Sequence, residues 1–160
     1  MNKAERIEFV ISEFRKADIT IDENQADKFV RLCDFMVEYN ENVNLTSITE
    51  FSEVVVKHFV DSVLPFTMVD IPQGSSFIDV GSGAGFPAIP LLICRPDLKG
   101  TLCDSLNKRC VYLEKACELI GVKSEIIHAR SEELGRKKRE CFDFATARAV
   151  AAMPVLSEYC

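Results

Sequence analysis

The chain has 160 residues, 48% apolar and 28% charged, with seven glycines, six prolines, seven cysteines and a formal net charge of −6 at pH 7. That balance fits one compact domain with a small helical extension and excludes collagen, a long disordered tail or a disulfide-stapled miniprotein. No stretch approaches the roughly 20 apolar residues of a membrane span; the apolar-rich segment 80–94 is broken by Gly81, Gly83, Gly85, Pro87 and Pro90, so a membrane protein is not expected.

The N-terminus carries Lys3, Glu5 and Arg6 where the apolar core of an export signal would lie, and a cytoplasmic protein is expected. Ile7, Val10, Ile11 and Phe14 recur at helical spacing. A second helical stripe of Ala26, Phe29, Val30, Cys33, Met36 and Val37 follows Asp22 and Gln25, which are spaced as a capping box. After a polar break at 40–44 and Thr46, Ser47 and Thr49, the residues Phe51, Val54, Val55, Phe59 and Val63 predict a third helix.

From Ser75 the period changes. The run 77–80 reads as a strand ending in a glycine turn, 91–93 lies in a proline-opened helix, and 100–104 reads as a second strand. Residues 108–120 form a helical pattern stopped by Gly121, 124–128 a third strand and 142–147 a fourth. Strands alternating with helices predict an α/β fold of Rossmann-like type with a parallel sheet of about four strands. Residues 1–70 form the helical extension and 71–160 the sheet domain. Ligands are expected beyond the strand C-termini.

The seven cysteines are odd in number and contain no C-x-x-C pair, so they read as free thiols, mostly in the core, with no metal site. Charge is uneven: residues 1–60 carry −5, 61–120 carry −2 and 121–160 carry +1. Such a field repels a bare polyanion, so a nucleic-acid contact needs a local patch and is expected to be weak and salt-sensitive by itself. Lys108-Arg109 and the run Arg136-Lys137-Lys138-Arg139 are the candidates for phosphate contact, the latter, taken in isolation, reading first as a solvated charged face.

Asp79-Val80-Gly81-Ser82-Gly83-Ala84-Gly85 sits where the first strand meets the following helix, the context in which a glycine motif lets backbone approach a ligand. Phe86 occupies the position of the third glycine in the dinucleotide pattern, which argues against a pyrophosphate on the helix N-terminus. Asp104 ends the second strand, where a carboxylate can accept both hydroxyls of a ribose, or can cap the next helix. Ser131 and Glu132 follow the third strand at the rim where an adenine would lie, or form an ordinary acidic first turn. Arg148 closes the fourth strand on the expected catalytic face. His58 with Asp61 can orient the extension or a target base, or be structural; Tyr39, Phe51 and Phe59 fit helix packing better than base stacking.

Five motifs together resemble a known family: Asn44-Leu45-Thr46, Lys57-His58-Phe59-Val60-Asp61-Ser62, the segment 77–87, Asp104-Ser105-Leu106-Asn107-Lys108-Arg109, and Ala147-Arg148-Ala149-Val150-Ala151. In this order they are similar to the motifs of the bacterial small-subunit ribosomal RNA guanine-N7 methyltransferases, the RsmG (GidB) family of class I S-adenosylmethionine enzymes. The resemblance runs from about Asn40 to the last residue. It implies S-adenosylmethionine as cofactor, bound through the glycine motif (Asp79, Gly81, Gly83, Gly85), with Gly81 and Phe86 at the methionine and sulfonium end. It further implies Asp104 on the ribose, Ser131 and Glu132 on the adenosine, and Arg148 at the cofactor and substrate face as the residue nearest to catalysis.

The implied partner is ribosomal RNA of the small subunit, in a particle already partly dressed with protein. Against a complete seven-stranded sheet of that class, four strands predict a truncated or incomplete chain. The competing expectation is a cofactor- or RNA-binding module without turnover.

Overall fold

Side chains that satisfy the unpaired first amides of a helix set where the first two helices begin. Asn2 and Glu5 cap α1 (Lys3–Lys16) reciprocally, and Asp22 and Gln25 do the same for α2 (Glu23–Val43), as the spacing predicts. α2 stops where Asn44 adopts a left-handed conformation, with φ of 49°. The two helices meet along Val10, Phe14, Phe29 and Cys33, all buried, and the Phe14 and Phe29 rings lie 4.9 Å apart. The computed structural model describes residues 1–138 and 140–148. Arg139, the motif residues Ala149, Val150 and Ala151, and the C-terminal segment through Cys160 lie outside the described residues.

The third helical stretch differs from expectation. Rather than one α-helix it runs as α3 (Phe51–Val54), a π-helical turn (Val55–Val60), α4 (Asp61–Val63) and a 3-10 turn (Leu64–Thr67). The wider π turn buries Val55, His58, Phe59 and Val60 together, a broader face than an α-stripe provides. Phe59 thereby reaches both Phe29, at 4.9 Å, and Phe86, at 5.9 Å. Tyr39 and Phe51 are likewise explained by packing: Tyr39 lies 5.3 Å from the ring of Tyr112, and Phe51 lies 5.9 Å from Phe9.

The sheet contains β1 (Ser76–Val80), β2 (Lys99–Asp104), β3 (Ser124–His128) and β4 (Phe144–Ala147), all parallel, in the order β3-β2-β1-β4. The connecting helices are α5 (Ala88–Cys94), α6 (Asn107–Ile120) and α7 (Ser131–Lys137). Because crossovers are right-handed, the two that step from β1 to β2 to β3 place α5 and α6 on one face, and the return to β4 places α7 on the other. The packing agrees. Phe77, Leu102, Ile89, Leu113 and Ile120 share a core with α1 and α2, whereas Ile78, Val80 and Cys103 pack with Leu134 of α7. The helical extension and one sheet face are therefore joined by a single continuous apolar core. The direction of the strand order reverses between β1 and β4, which is where ligands lodge in open parallel sheets.

Cys33, Cys103, Cys110 and Cys117 are buried thiols, in line with the sequence reading, and burial pushes the Cys103 thiol up to about 11. Among the described residues no group of side chains has the arrangement of a metal site, and no helix is long and apolar enough to cross a membrane.

Candidate functional site

At the C-terminal ends of β1, β2 and β3 a cleft of about 250 Å³ opens, lined by Gly81, Cys103, Asp104, Ser105, Arg109, Ala129 and Ser131. Its position follows from the topology, because the glycine turn after β1 and the loops after β2 and β3 all leave the sheet at this end. The turn is fastened to its neighbours by backbone bonds: the Ser82 N–H donates to the Cys103 carbonyl at 3.0 Å and the Gly85 N–H to the Ser82 carbonyl at 2.7 Å. Gly81 and Gly83 have φ of 67° and 56°, values that disfavour any side chain.

Asp104 is the centre of this arrangement. Its carboxylate is buried, with Oδ2 accepting the Gly83 N–H and Oδ1 the Leu106 N–H, both at 2.9 Å. Arg109 Nη1 lies 3.9 Å from Oδ2, and the Arg109 Nε is buried without a partner among the described residues. A carboxylate oxygen accepts more than one bond, so the two amides orient Asp104 and leave acceptor capacity toward the cleft. The capping alternative is only partly realised: the N-cap of α6 is Leu106 and lacks a side-chain bond, while Asp104 takes the Leu106 amide.

The other sequence-predicted residues fall into three places. Gly81 and Ser131 line the cleft with Asp104; Ser131 opens α7, and Glu132, the next residue, is exposed and outside the lining. Gly83 meets the cleft through its bond to Asp104, and Gly85 instead permits close packing, since a Cβ there would lie 2.4 Å from Ile89 Cδ1. Phe86 and Arg148 belong to a second corner, built around His58. The Phe86 ring stacks on the His58 ring at 4.7 Å, and the Arg148 guanidinium donates to the Lys57 carbonyl at 2.8 Å.

Asp79 lies beneath both. Strand alternation sets it on the face of β1 that carries Phe77, where it is completely buried; Thr146 Oγ1 donates to its Oδ1 at 2.8 Å, and its Oδ2 has no partner among the described residues. Burial, helped by the charge of Asp104, pushes its carboxyl up from 3.8 to about 7. Unfolding near neutral pH therefore releases a proton from this group. Its contribution to stability is complete below about pH 4 and is lost as pH rises through 7. Asp79→Asn, which cannot ionise, is expected to gain stability relative to the parent between pH 4 and 8; urea midpoints that keep a constant gap over this range would contradict the assignment.

Sequence reasoning placed Arg109 among phosphate contacts and overlooked Cys103, Ser105 and Ala129 as cleft lining. The available signal was position alone: Cys103 and Ser105 flank Asp104 at the end of β2, and Ala129 directly follows β3. The sequence sets His58 beside Asp61; in the structure the hydrogen-bond partner of His58 Nε2 is Thr46 Oγ1, at 2.8 Å, and Asp61 is exposed.

Comparison with known proteins identifies the family. The family described as GidB, rRNA small subunit methyltransferase G, matches residues 25–160. A protein from Lactobacillus acidophilus named Ribosomal RNA small subunit methyltransferase G is 48% identical over 158 residues, covering 96% of this chain and 65% of that protein. Its namesake from Bacillus subtilis is 45% identical over 157 residues, covering 96% and 66%, and that from Clostridium perfringens is 48% identical over 141 residues, covering 86% and 59%. The chain thus spans about 65% of the length of such relatives. With a methyltransferase-type sheet, a glycine turn beside an acidic strand end and this extent of similarity, the chain belongs to the GidB family, rRNA small subunit methyltransferase G.

Proposed function

We propose that this chain carries the cofactor site of an S-adenosylmethionine-dependent methyltransferase that modifies N7 of a guanine in small-subunit ribosomal RNA. The observation that carries the proposal is the buried Asp104 carboxylate, aimed by two backbone amides at the cleft over the C-terminal ends of β1, β2 and β3, beside the reversal of strand order at β1. A cleft of about 250 Å³ is slightly below the roughly 300–1,000 Å³ of most small-molecule sites. That size suits a nucleoside, with the rest of the ligand reaching along the glycine turn. Gly83 supports the fit, because a Cβ there would meet nothing closer than the Gly81 carbonyl at 3.9 Å, leaving an open approach to backbone.

The cofactor supplies an electrophilic methyl group on sulfonium. Asp104 is assigned to the ribose diol, Gly81 to the close backbone approach, and Ser131 to the nucleoside rim. Glu132, exposed one residue further along α7, would reach the adenosine only from outside the cleft. Guanine N7 presents its lone pair at neutral pH, so the protein needs no general base. Its task is to orient the base and to exclude water. Arg148, on the end of β4 and anchored to Lys57, is the residue best placed to meet the acceptor. Phosphate contacts are assigned to Lys108, and to Arg136 and Lys137 in the last turn of α7, whereas Arg109 lines the cleft beside Asp104.

Calorimetry tests the cofactor: one-site binding of S-adenosylmethionine is expected, and none of NAD. Incorporation of labelled methyl into unmodified small-subunit RNA, free and protein-bound, tests the reaction. Absence of cofactor binding would overturn the proposal, and binding without incorporation would reduce the chain to a cofactor-binding module.

A further inference from the structure

A hydrogen-bonded path joins the helical extension to Arg148. Near the end of α2, Asn40 Oδ1 accepts the N–H groups of Leu45 and Thr46 at 2.6 and 2.9 Å, and its Nδ2 donates to the Thr46 carbonyl at 2.9 Å. The loop so fixed presents Thr46 Oγ1, which accepts the Ile48 N–H at 3.1 Å and lies 2.8 Å from His58 Nε2. His58 sits in the π turn. There the Asp61 amide is shared by the carbonyls of Val56 and His58, the Ser62 hydroxyl also donates to the His58 carbonyl, and the carbonyl between them, of Lys57, receives Arg148.

Packing does not account for a histidine at this point. His58 is 91% buried with its ring stacked on Phe86, a setting that a phenylalanine would fill, and its Nδ1 has no partner among the described residues, which costs stability. Burial and the nearby Arg148 charge both lower its pKa, favouring the neutral ring, while the Lys57 backbone and Asp61 oppose them. What only the imidazole supplies is the bond to Thr46, and this bond fixes the turn whose neighbouring carbonyl aims Arg148. π turns recur at functional sites for this kind of re-aiming.

We propose that His58 is a positioning residue for methyl transfer, acting with Thr46 through the Lys57 carbonyl to hold Arg148 at the acceptor face. The inference rests on the assignment of Arg148 in the preceding subsection. In the 160-residue chain, His58→Phe is expected to keep or raise the urea midpoint and to leave the dissociation constant for S-adenosylmethionine within about twofold. Its kcat for transfer to small-subunit RNA is expected to fall about tenfold, as for misplacement of an orienting group. Thr46→Val should act in the same direction. His58→Gln, whose amide nitrogen reaches the place of Nε2, should recover most of the loss. Adding His58→Phe to Arg148→Ala should cause no further decrease.

Wild-type kcat in His58→Phe overturns the positioning role and leaves the cofactor assignment standing. So does a kcat loss that tracks a matching fall in urea midpoint, or additive loss in the double variant. A parent chain that neither binds S-adenosylmethionine nor transfers methyl overturns the functional proposal and this inference together.

Discussion

Asp104→Asn is expected to weaken S-adenosylmethionine binding by about ten- to hundredfold, the equivalent of roughly 1.5–3 kcal/mol for hydrogen bonds to a charged acceptor. Two effects combine. The parent carboxylate accepts the Gly83 and Leu106 amides with separate oxygens, so an asparagine sets its own NH2 against one of them and loosens either the glycine turn or the start of α6. The remaining carbonyl oxygen must then serve both backbone and ribose. Calorimetry of the variant, with circular dichroism to verify that the sheet is intact, reads the effect. An affinity equal to that of the parent would remove Asp104 from the binding site.

Gly85→Ala is expected to destabilise the chain by about 3 kcal/mol, through overpacking and a left-handed backbone acting together. The added Cβ would fall 2.4 Å from Ile89 Cδ1, 2.8 Å from its Cγ1 and 3.2 Å from Leu113 Cδ2, at a φ of 91°. Ile89 is fully buried, so it has little room to yield. Gly83→Ala is the informative contrast. Its Cβ meets nothing within 3.4 Å and only the φ of 56° is unfavourable, so a loss nearer 1 kcal/mol is expected. Urea midpoints decide. Equal costs at the two glycines would mean that helix packing does not explain the Gly85 requirement. Since whole domains are stable by only about 5–15 kcal/mol, the Gly85 change alone would consume a large share of the total.

The sheet was legible because its strands are short runs set off from the helices, with β1 and β2 closed by Gly81 and Asp104, and because the long helix between β2 and β3 keeps a 3.6-residue period. The capping pair Asp22 and Gln25 and the left-handed stop at Gly121 were readable for the same reason: each is a local rule with a single structural solution. The π turn was not readable. Val55 and Phe59 are spaced as in an ordinary helix, and the departure depends on tertiary partners, Thr46 and Arg148, that no local pattern reveals.

The candidate site divides similarly. Asp104, Gly81 and Ser131 were found from their positions after strands and do line one cleft. Asp79 shares the motif but is absent from the cleft lining: alternation from Phe77 buries it against the apolar face of the sheet, where Thr146 Oγ1 donates to one of its oxygens. The resemblance implies a cofactor contact for Phe86, and the structure stacks its ring on His58, so its backbone is the part free to face a ligand.

The most direct measurement is an amide-shift titration of the isotopically labelled chain with S-adenosylhomocysteine. Shifts are predicted to concentrate at Gly81, Gly83, Ser105, Leu106, Ala129 and Ser131 around the cleft, with α1 unaffected. Saturable shifts confined to another surface, or none at millimolar ligand, would contradict the placement of the cofactor beside Asp104.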